Sequence, residues 1–412
     1  MAMKTMQPTL KRGRDVWDPI RMPESEFKKR VEKLTNEMRK RHIHVLLLYG
    51  NGQNDYGHPC YVSNYLSKMP LGAIAVITDT GEVALICEGF PRDAAMILPT
   101  TWVKDVRSSG GDASQMCVAY LKEKKLIPST IGFAGVRQWM PYRQFQFLSE
   151  ATHRCRIVAA DDLMTRVRRV KSERECDQIR RSAHIIAQAF DAVSHVSLAH
   201  LNEKILQAAV DRLAYLEGAE EVRILIGKPK EANWYLRPPE DAAVSEGDTV
   251  ILHVAVEFER YWAEGMRTFL AKGSSLKEPD LAGAKALYAR IMKGLTTGKR
   301  VSAFYREAMS GIRRSKVDCL TEYGLGHGIG LSLEEPPLLT GDDVTLLRGG
   351  MCLVLRLAAK DRELGAVMIG ETVYVSNSGP EILTRNQNKV GMFTPPTVHP
   401  LGSNSRRKNG GS

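Results

Sequence analysis

Two segments of the 412-residue chain concentrate side chains able to move protons or hold charge. In GDTVILHVAVEFERYWAEGMRTF (247–269), His253 and Glu264 lie on two strand-like runs joined by a turn. In YGLGHGIGLSLEEPPLL (323–339), glycines flank His327, which lets backbone pass close to a site, and Glu334 follows shortly after. A third run, GGMCLVLRLAAK (349–360), sets Arg356 among apolar residues, and a fourth, GAVMIGETVYVSNSGPEILT (365–384), carries Glu371. Two imidazoles, two or three carboxylates and a guanidinium suffice for general acid–base catalysis, with the guanidinium binding a carboxylate or stabilising an oxyanion. His253 alternates with apolar neighbours, so it faces one side of a sheet.

The runs read as strands of one sheet, and helical stretches at about 172–195, 198–217, 277–295 and 300–315 alternate with strand-like runs at 220–226, 248–257, 351–357 and 371–376. VRRVKSERECDQIRRSAHIIAQAFDAV (167–193) has the period of one long helix, with Ile179, Ala183, Ile186, Ala187 and Phe190 on one face. Before it stands a different rhythm. Phe27, Val31, Leu34 and Met38 predict an amphipathic helix over 24–41, and short apolar runs at 45–50, 73–78, 82–87 and 130–135 alternate with helical stretches near 113–125 and 141–150. The expected organisation is a flexible basic arm (1–23), an α/β domain (24–165), a second domain (166–385) and a basic tail (386–412) expected to be disordered.

The net charge of +11 belongs to the ends: residues 1–42 carry +6, residues 385–412 carry +5, and the stretch between them is neutral. A neutral body argues against a nucleic-acid-binding domain. No apolar run approaches the roughly 20 residues of a membrane helix. Seven scattered Cys without a C-x-x-C pair, and an N-terminus without an apolar signal core, predict reduced thiols in a cytoplasmic protein.

Taken in order, Gly247-Asp248, Arg267-Thr268-Phe269 and Gly326-His327-Gly328-Ile329-Gly330 resemble the pita-bread family of methionine aminopeptidase, aminopeptidase P, prolidase and creatinase. VKSERECDQIRRSA (170–183) looks like the helix that opens the catalytic domain in the aminopeptidase P and creatinase branch, where an α/β domain also precedes it. The resemblance implies an α/β (α+β) fold, with a creatinase-like N-terminal domain before a pita-bread domain, and a homodimer. Metallopeptidases of the family bind two divalent ions through two Asp, one His and two Glu. Carried across, those positions are His253, Glu264, His327, Arg356 and Gly370, with Glu371 next to the last. The family's second active-site His falls on Glu334. Tyr235, with Trp234, lies where the family positions substrate-facing groups, and His58 lies in the domain that in creatinase-like dimers reaches the partner's site.

Two divalent ions bring four positive charges, yet only Glu264 is acidic among the four carboxylate positions, and Arg356 cannot be a ligand because a guanidinium stays protonated. A dinuclear site is therefore not expected. A single metal on His253, Glu264 and His327 is the alternative. The expectation is a metal-independent, cofactor-free enzyme that hydrolyses a C–N or amide bond, or eliminates, in a small amino-acid-derived substrate. His253, His327 and Glu264 would be catalytic, and Arg356, Glu334, Glu371, Tyr235 and His58 would bind substrate. Rival readings are a mononuclear metallopeptidase or lyase and a non-catalytic peptide-binding module, such as the pita-bread domain of some eukaryotic histone chaperones. Arg267 is expected to support the sheet.

Overall fold

The computed structural model describes residues 16–67, 71–89, 94–199 and 201–385. A six-stranded mixed sheet comes first, made of β1 (Val45–Asn51), β2 (Gly72–Thr78), β3 (Val83–Cys87), β4 (Asp105–Ser108), β5 (Thr130–Ala134) and β6 (Arg156–Ala159), in the order β4-β3-β2-β1-β5-β6. Every residue of β1 and β2 is buried, which is why VLLLYG and AIAVIT read as continuous apolar runs rather than alternating ones. The helix Glu24–Lys40 buries Phe27, Val31, Leu34 and Met38, the face its spacing predicts. Of the expected basic arm, residues 1–15 lie outside the described residues. Residues 16–23 are held rather than free: Trp17 N–H donates to the Pro99 carbonyl at 3.0 Å and Met22 is buried. Two apolar side chains within a basic stretch are enough to dock it. The tail (386–412) lies outside the described residues.

The second sheet has nine strands: β7 (Glu221–Gly227), β8 (Thr249–Phe258), β9 (Tyr261–Lys272), β10 (Ser275–Lys277), β11 (Gly326–Gly328), β12 (Glu335–Leu338), β13 (Met351–Asp361), β14 (Gly365–Ser376) and β15 (Gly379–Ile382). Its path is β12-β11-β13-β14-β9-β8-β7, with β10 paired to β9 and β15 to β14. β8 and β9 form a tight hairpin whose two turn residues, Glu259 and Arg260, both have positive φ (46° and 70°). That conformation is costly without glycine, and Arg260 is fixed in it by its backbone N–H and guanidinium donating to Glu220 at 2.9 and 2.7 Å.

The long helix predicted over 167–193 is two helices, Asp161–Arg169 and Glu173–Ser194. Ser172 divides them: its hydroxyl accepts from Glu175 N–H while the Glu175 carboxylate accepts from Ser172 N–H, a capping box that starts a new helix. The helix predicted over 277–295 is shortened to Ala282–Met292, because Lys277 ends β10 and Pro279 follows. The helix Glu173–Ser194 packs on one face of the nine-stranded sheet, so closely that a Cβ at Gly265 would lie 3.0 Å from both Ile186 and Phe190. One apolar core runs from Phe27 and Leu34 through Ile179 and Ile186 to Val254 and Val354. No described helix is long and apolar enough to cross a membrane.

Candidate active site

Strand register brings the chemistry together on the face of the nine-stranded sheet opposite that helix. Cross-strand partners share a face, and one row reads His253–Met266–Gly370–Arg356 across β8, β9, β14 and β13. The adjacent row runs from Ala255 through Glu264 to Thr372, Val354 and His327. On the other side, Ile251, Thr268, Met368 and Ala358 form a third row. His253, Glu264, His327 and Arg356 are therefore neighbours although 103 residues separate the first from the last.

Glu264 is the centre. His253 Nε2 approaches its Oε1 at 3.3 Å, His327 Nε2 its Oε2 at 3.7 Å and Arg356 Nη1 its Oε1 at 3.8 Å. Burial alone would raise the Glu264 carboxyl, but His253, His327 and Arg356 together outweigh it and hold the group below its ordinary value. None of these approaches is aligned as a hydrogen bond: Glu264 Oε1, both His253 ring nitrogens and Arg356 Nε are buried without a hydrogen-bond partner. Four unsatisfied polar atoms thus converge in one place, a pattern that folded proteins keep for a role other than packing. Arg356, with a quarter of its side chain exposed, is the opening.

His327 is held by its own loop. Its Nδ1 lies 3.0 Å from the Gly328 carbonyl oxygen; a carbonyl only accepts, so Nδ1 carries a proton and Nε2 is left facing Glu264. Gly326 is what allows this approach. It has φ +131°, and a Cβ there would fall 1.8 Å from the Val354 carbonyl oxygen. Thr372 performs a comparable service for Glu264: its hydroxyl accepts from Glu264 N–H at 2.9 Å and donates to the Glu264 carbonyl at 2.8 Å, replacing ladder bonds between β9 and β14. Neither Thr372 nor Met266 was singled out from the sequence; the one usable signal was that Thr372 shares strand parity with Gly370.

Other expected site residues go elsewhere. Glu371 sits on the opposite face, as strand alternation requires of the neighbour of Gly370. There it accepts from Arg267 Nη2 at 3.1 Å and from the Thr384 hydroxyl, beside a cavity of about 430 Å³ lined by Phe190, Arg267 and Tyr288. Arg267 also donates to the Met266 and Gly370 carbonyls at 2.9 and 3.2 Å, a sheet-supporting role as expected. Glu334 is exposed, and the buried carboxylate of that loop is its neighbour Glu335, paired to Arg168 at 2.7 Å and to Lys171. Tyr235 is 63% exposed; Trp234 is the aromatic that packs, with Leu236, Leu320 and Tyr323, over Ile251, Met266, Ala358 and Met368. His58 does not extend outward. It is buried against Trp139, takes a 2.8 Å hydrogen bond from Arg168, and lies with Asp55, Ser332 and Glu335 around that guanidinium.

Residues 177–377 match the model of metallopeptidase family M24. The chain is 22% identical over 376 residues to an Xaa-Pro dipeptidase of Pyrococcus furiosus, covering 88% of this chain and all of that protein. These matches support a place in the creatinase and aminopeptidase P-like pita-bread family. Within that fold it superposes on the X-Pro aminopeptidase of Thermotoga maritima with a TM-score of 0.70 at 21% identity, over 86% of this chain and 97% of that one. It superposes on the N-terminal domain of the FACT complex subunit Spt16 from Cicer arietinum with a TM-score of 0.64 at 13% identity, over 88% and 96%.

The two-ion arrangement of the family's metallopeptidases does not fit these residues. Arg356 brings a cation to one ligand position. At Gly370 the space a side chain would use is filled, since a Cβ there would meet Met266 Cβ and Cγ at 2.9 Å. His253 and His327 face different oxygens of Glu264.

Proposed function

We propose that the chain is a metal-independent hydrolase that cleaves a C–N or amide bond in a small amino-acid-derived substrate. The observation carrying this reading is the buried Glu264 carboxylate set among two imidazoles and a guanidinium, with Met266 packed over the glycine where a ligand would stand. In this scheme His327 Nε2 takes a proton from water, whose oxygen attacks the carbon of the scissile bond. Glu264, kept ionised, stabilises the imidazolium so formed. His253, entering protonated, delivers a proton to the departing nitrogen as the C–N bond breaks, and the proton that His327 took from water restores His253 through solvent; one water is consumed and no proton is left over. Arg356 receives an anionic group of the substrate. Elimination, with His327 removing a carbon-bound proton, needs the same groups.

Activity should survive chelation and fall about 10²–10⁴-fold in His327→Ala, with an unchanged circular dichroism spectrum. Complete loss on chelation would overturn the proposal. Elemental analysis of protein purified without added metal separates it from a single ion on His253, Glu264 and His327. The superposition with the Spt16 domain favours a second reading, a peptide-binding module without turnover, for which peptide affinity unchanged in His327→Ala would speak. We further assign residues 24–165 and 166–385 to two domains, and a homodimeric, cytoplasmic state to the protein; sedimentation at micromolar concentration tests the dimer.

A further inference from the structure

We infer that the site takes an amino-acid derivative whose carboxylate is free and whose nitrogen is blocked, that is, an N-acylated, singly anionic ligand with an apolar side chain. The inference takes its site from the hydrolase reading and adds which ligand that site selects. Across the three rows of the face the carboxylate is Glu264 alone, and it is already approached by His253, His327 and Arg356 at 3.3–3.8 Å. An α-ammonium entering here would find no uncommitted carboxylate and would meet the Arg356 charge; at separations of this order each like-charge contact costs on the order of kilocalories per mole in a partly desolvated setting. A carboxylate finds the reverse. Arg356 is the most exposed member of the cluster, its Nε has no partner, and its closest anion is 3.8 Å away, outside hydrogen-bond reach, so the guanidinium fork has donors to offer.

The apolar requirement comes from the third row. Ile251, Ala358 and Met368, with Met266 of the first row, are buried beneath half-buried Trp234 and Tyr323, stacked with ring centroids 5.8 Å apart, so these two rings are the apolar surface left open above the row. Register fixes the geometry of the pair: Met266 lies directly between His253 and Gly370, and Gly370 lies opposite Arg356. A ligand with its carboxylate on Arg356 and its side chain against the Trp234–Tyr323 stack brings its acylated nitrogen to the mouth of the Glu264 cluster. An uncharged amide there meets no repulsion from the Arg356 charge, so blocking the nitrogen removes the cost that an α-ammonium would carry.

The test is calorimetric binding to the intact chain, read without turnover, of N-acetyl-L-leucine, L-leucine, L-leucinamide and N-acetyl-L-leucinamide. N-acetyl-L-leucine should bind at least about tenfold more tightly than the other three, the size of one hydrogen bond to a charged group. Arg356→Gln should abolish that preference over N-acetyl-L-leucinamide, and Arg356→Lys, which keeps the charge but not the fork, should retain part of it. Equal or tighter binding of leucine or leucinamide, or an Arg356→Gln variant that binds N-acetyl-L-leucine as well as the parent does, overturns the inference. The two proposals fail separately. Tight binding of N-acetyl-L-leucine without hydrolysis of any amide removes the hydrolase reading and leaves this one, whereas preferential binding and hydrolysis of a dipeptide with a free amine does the opposite.

Discussion

Glu264 combines near-complete burial with a carboxyl held below its ordinary value by three neighbours. The sign of its pH dependence follows. A carboxyl whose folded value is depressed binds fewer protons folded than unfolded, so its stabilisation is complete above the ordinary glutamate range and is lost as pH falls through the folded value. Glu264→Gln should therefore lower the unfolding free energy by roughly 1–3 kcal/mol at neutral pH, and the gap to the parent should narrow on acidification; urea titrations at neutral and acid pH measure both. This residue and its neighbours were legible in the sequence because the glycine loop and the strand motifs fix which positions face one another. Gly370 was legible as a missing ligand. That Met266 fills its place was not, because the contact depends on cross-strand register, which residue type alone does not reveal.

The strands carry the site through two backbone devices, the close approach of β11 to β13 at Gly326 and the Thr372 bridge between β9 and β14. Gly326→Ala should cost at least ~1–3 kcal/mol in backbone strain and, by displacing His327, reduce activity further than it reduces stability. Thermal unfolding beside kcat/KM tests this, and an alanine variant as stable as the parent would show that β11 can shift freely. Apolar periodicity revealed most of the strands and the amphipathic helix Glu24–Lys40. It merged Asp161–Arg169 with Glu173–Ser194 because both share a helical period and only the Ser172–Glu175 box interrupts it. The choice of Glu334 over Glu335 and the pairing of Glu371 with the site failed for one reason: neighbouring residues on an extended chain point in opposite directions, and an error of one position reverses the face.

Across the whole molecule, the two sheets are joined at a buried ionic network in which Arg168 contacts Asp55 and His58 from the first and Ser332 and Glu335 from the glycine loop of the second. Burial and the Arg168 charge push the His58 imidazole down to about 3, against the pull of Asp55. A histidine with a depressed folded value stabilises fully above the ordinary histidine range and loses that contribution as pH falls towards the folded value. His58→Gln, whose amide oxygen can still accept from Arg168, should flatten the decline in melting temperature between about pH 6.5 and pH 3; an unchanged slope would place that decline on other groups. No reading of residue types predicted this junction, since its members come from three distant stretches of chain. The apposition of Met266 and Gly370 has a bearing on descent. A lone Gly370→Glu change meets Met266 at 2.9 Å, a lone truncation of Met266 opens a void under the sheet, and neither removes the cation at position 356. Each single step towards a two-ion ligand set is disfavoured before the next can reward it. The pocket therefore behaves as a ratchet against the piecemeal gain of such a set.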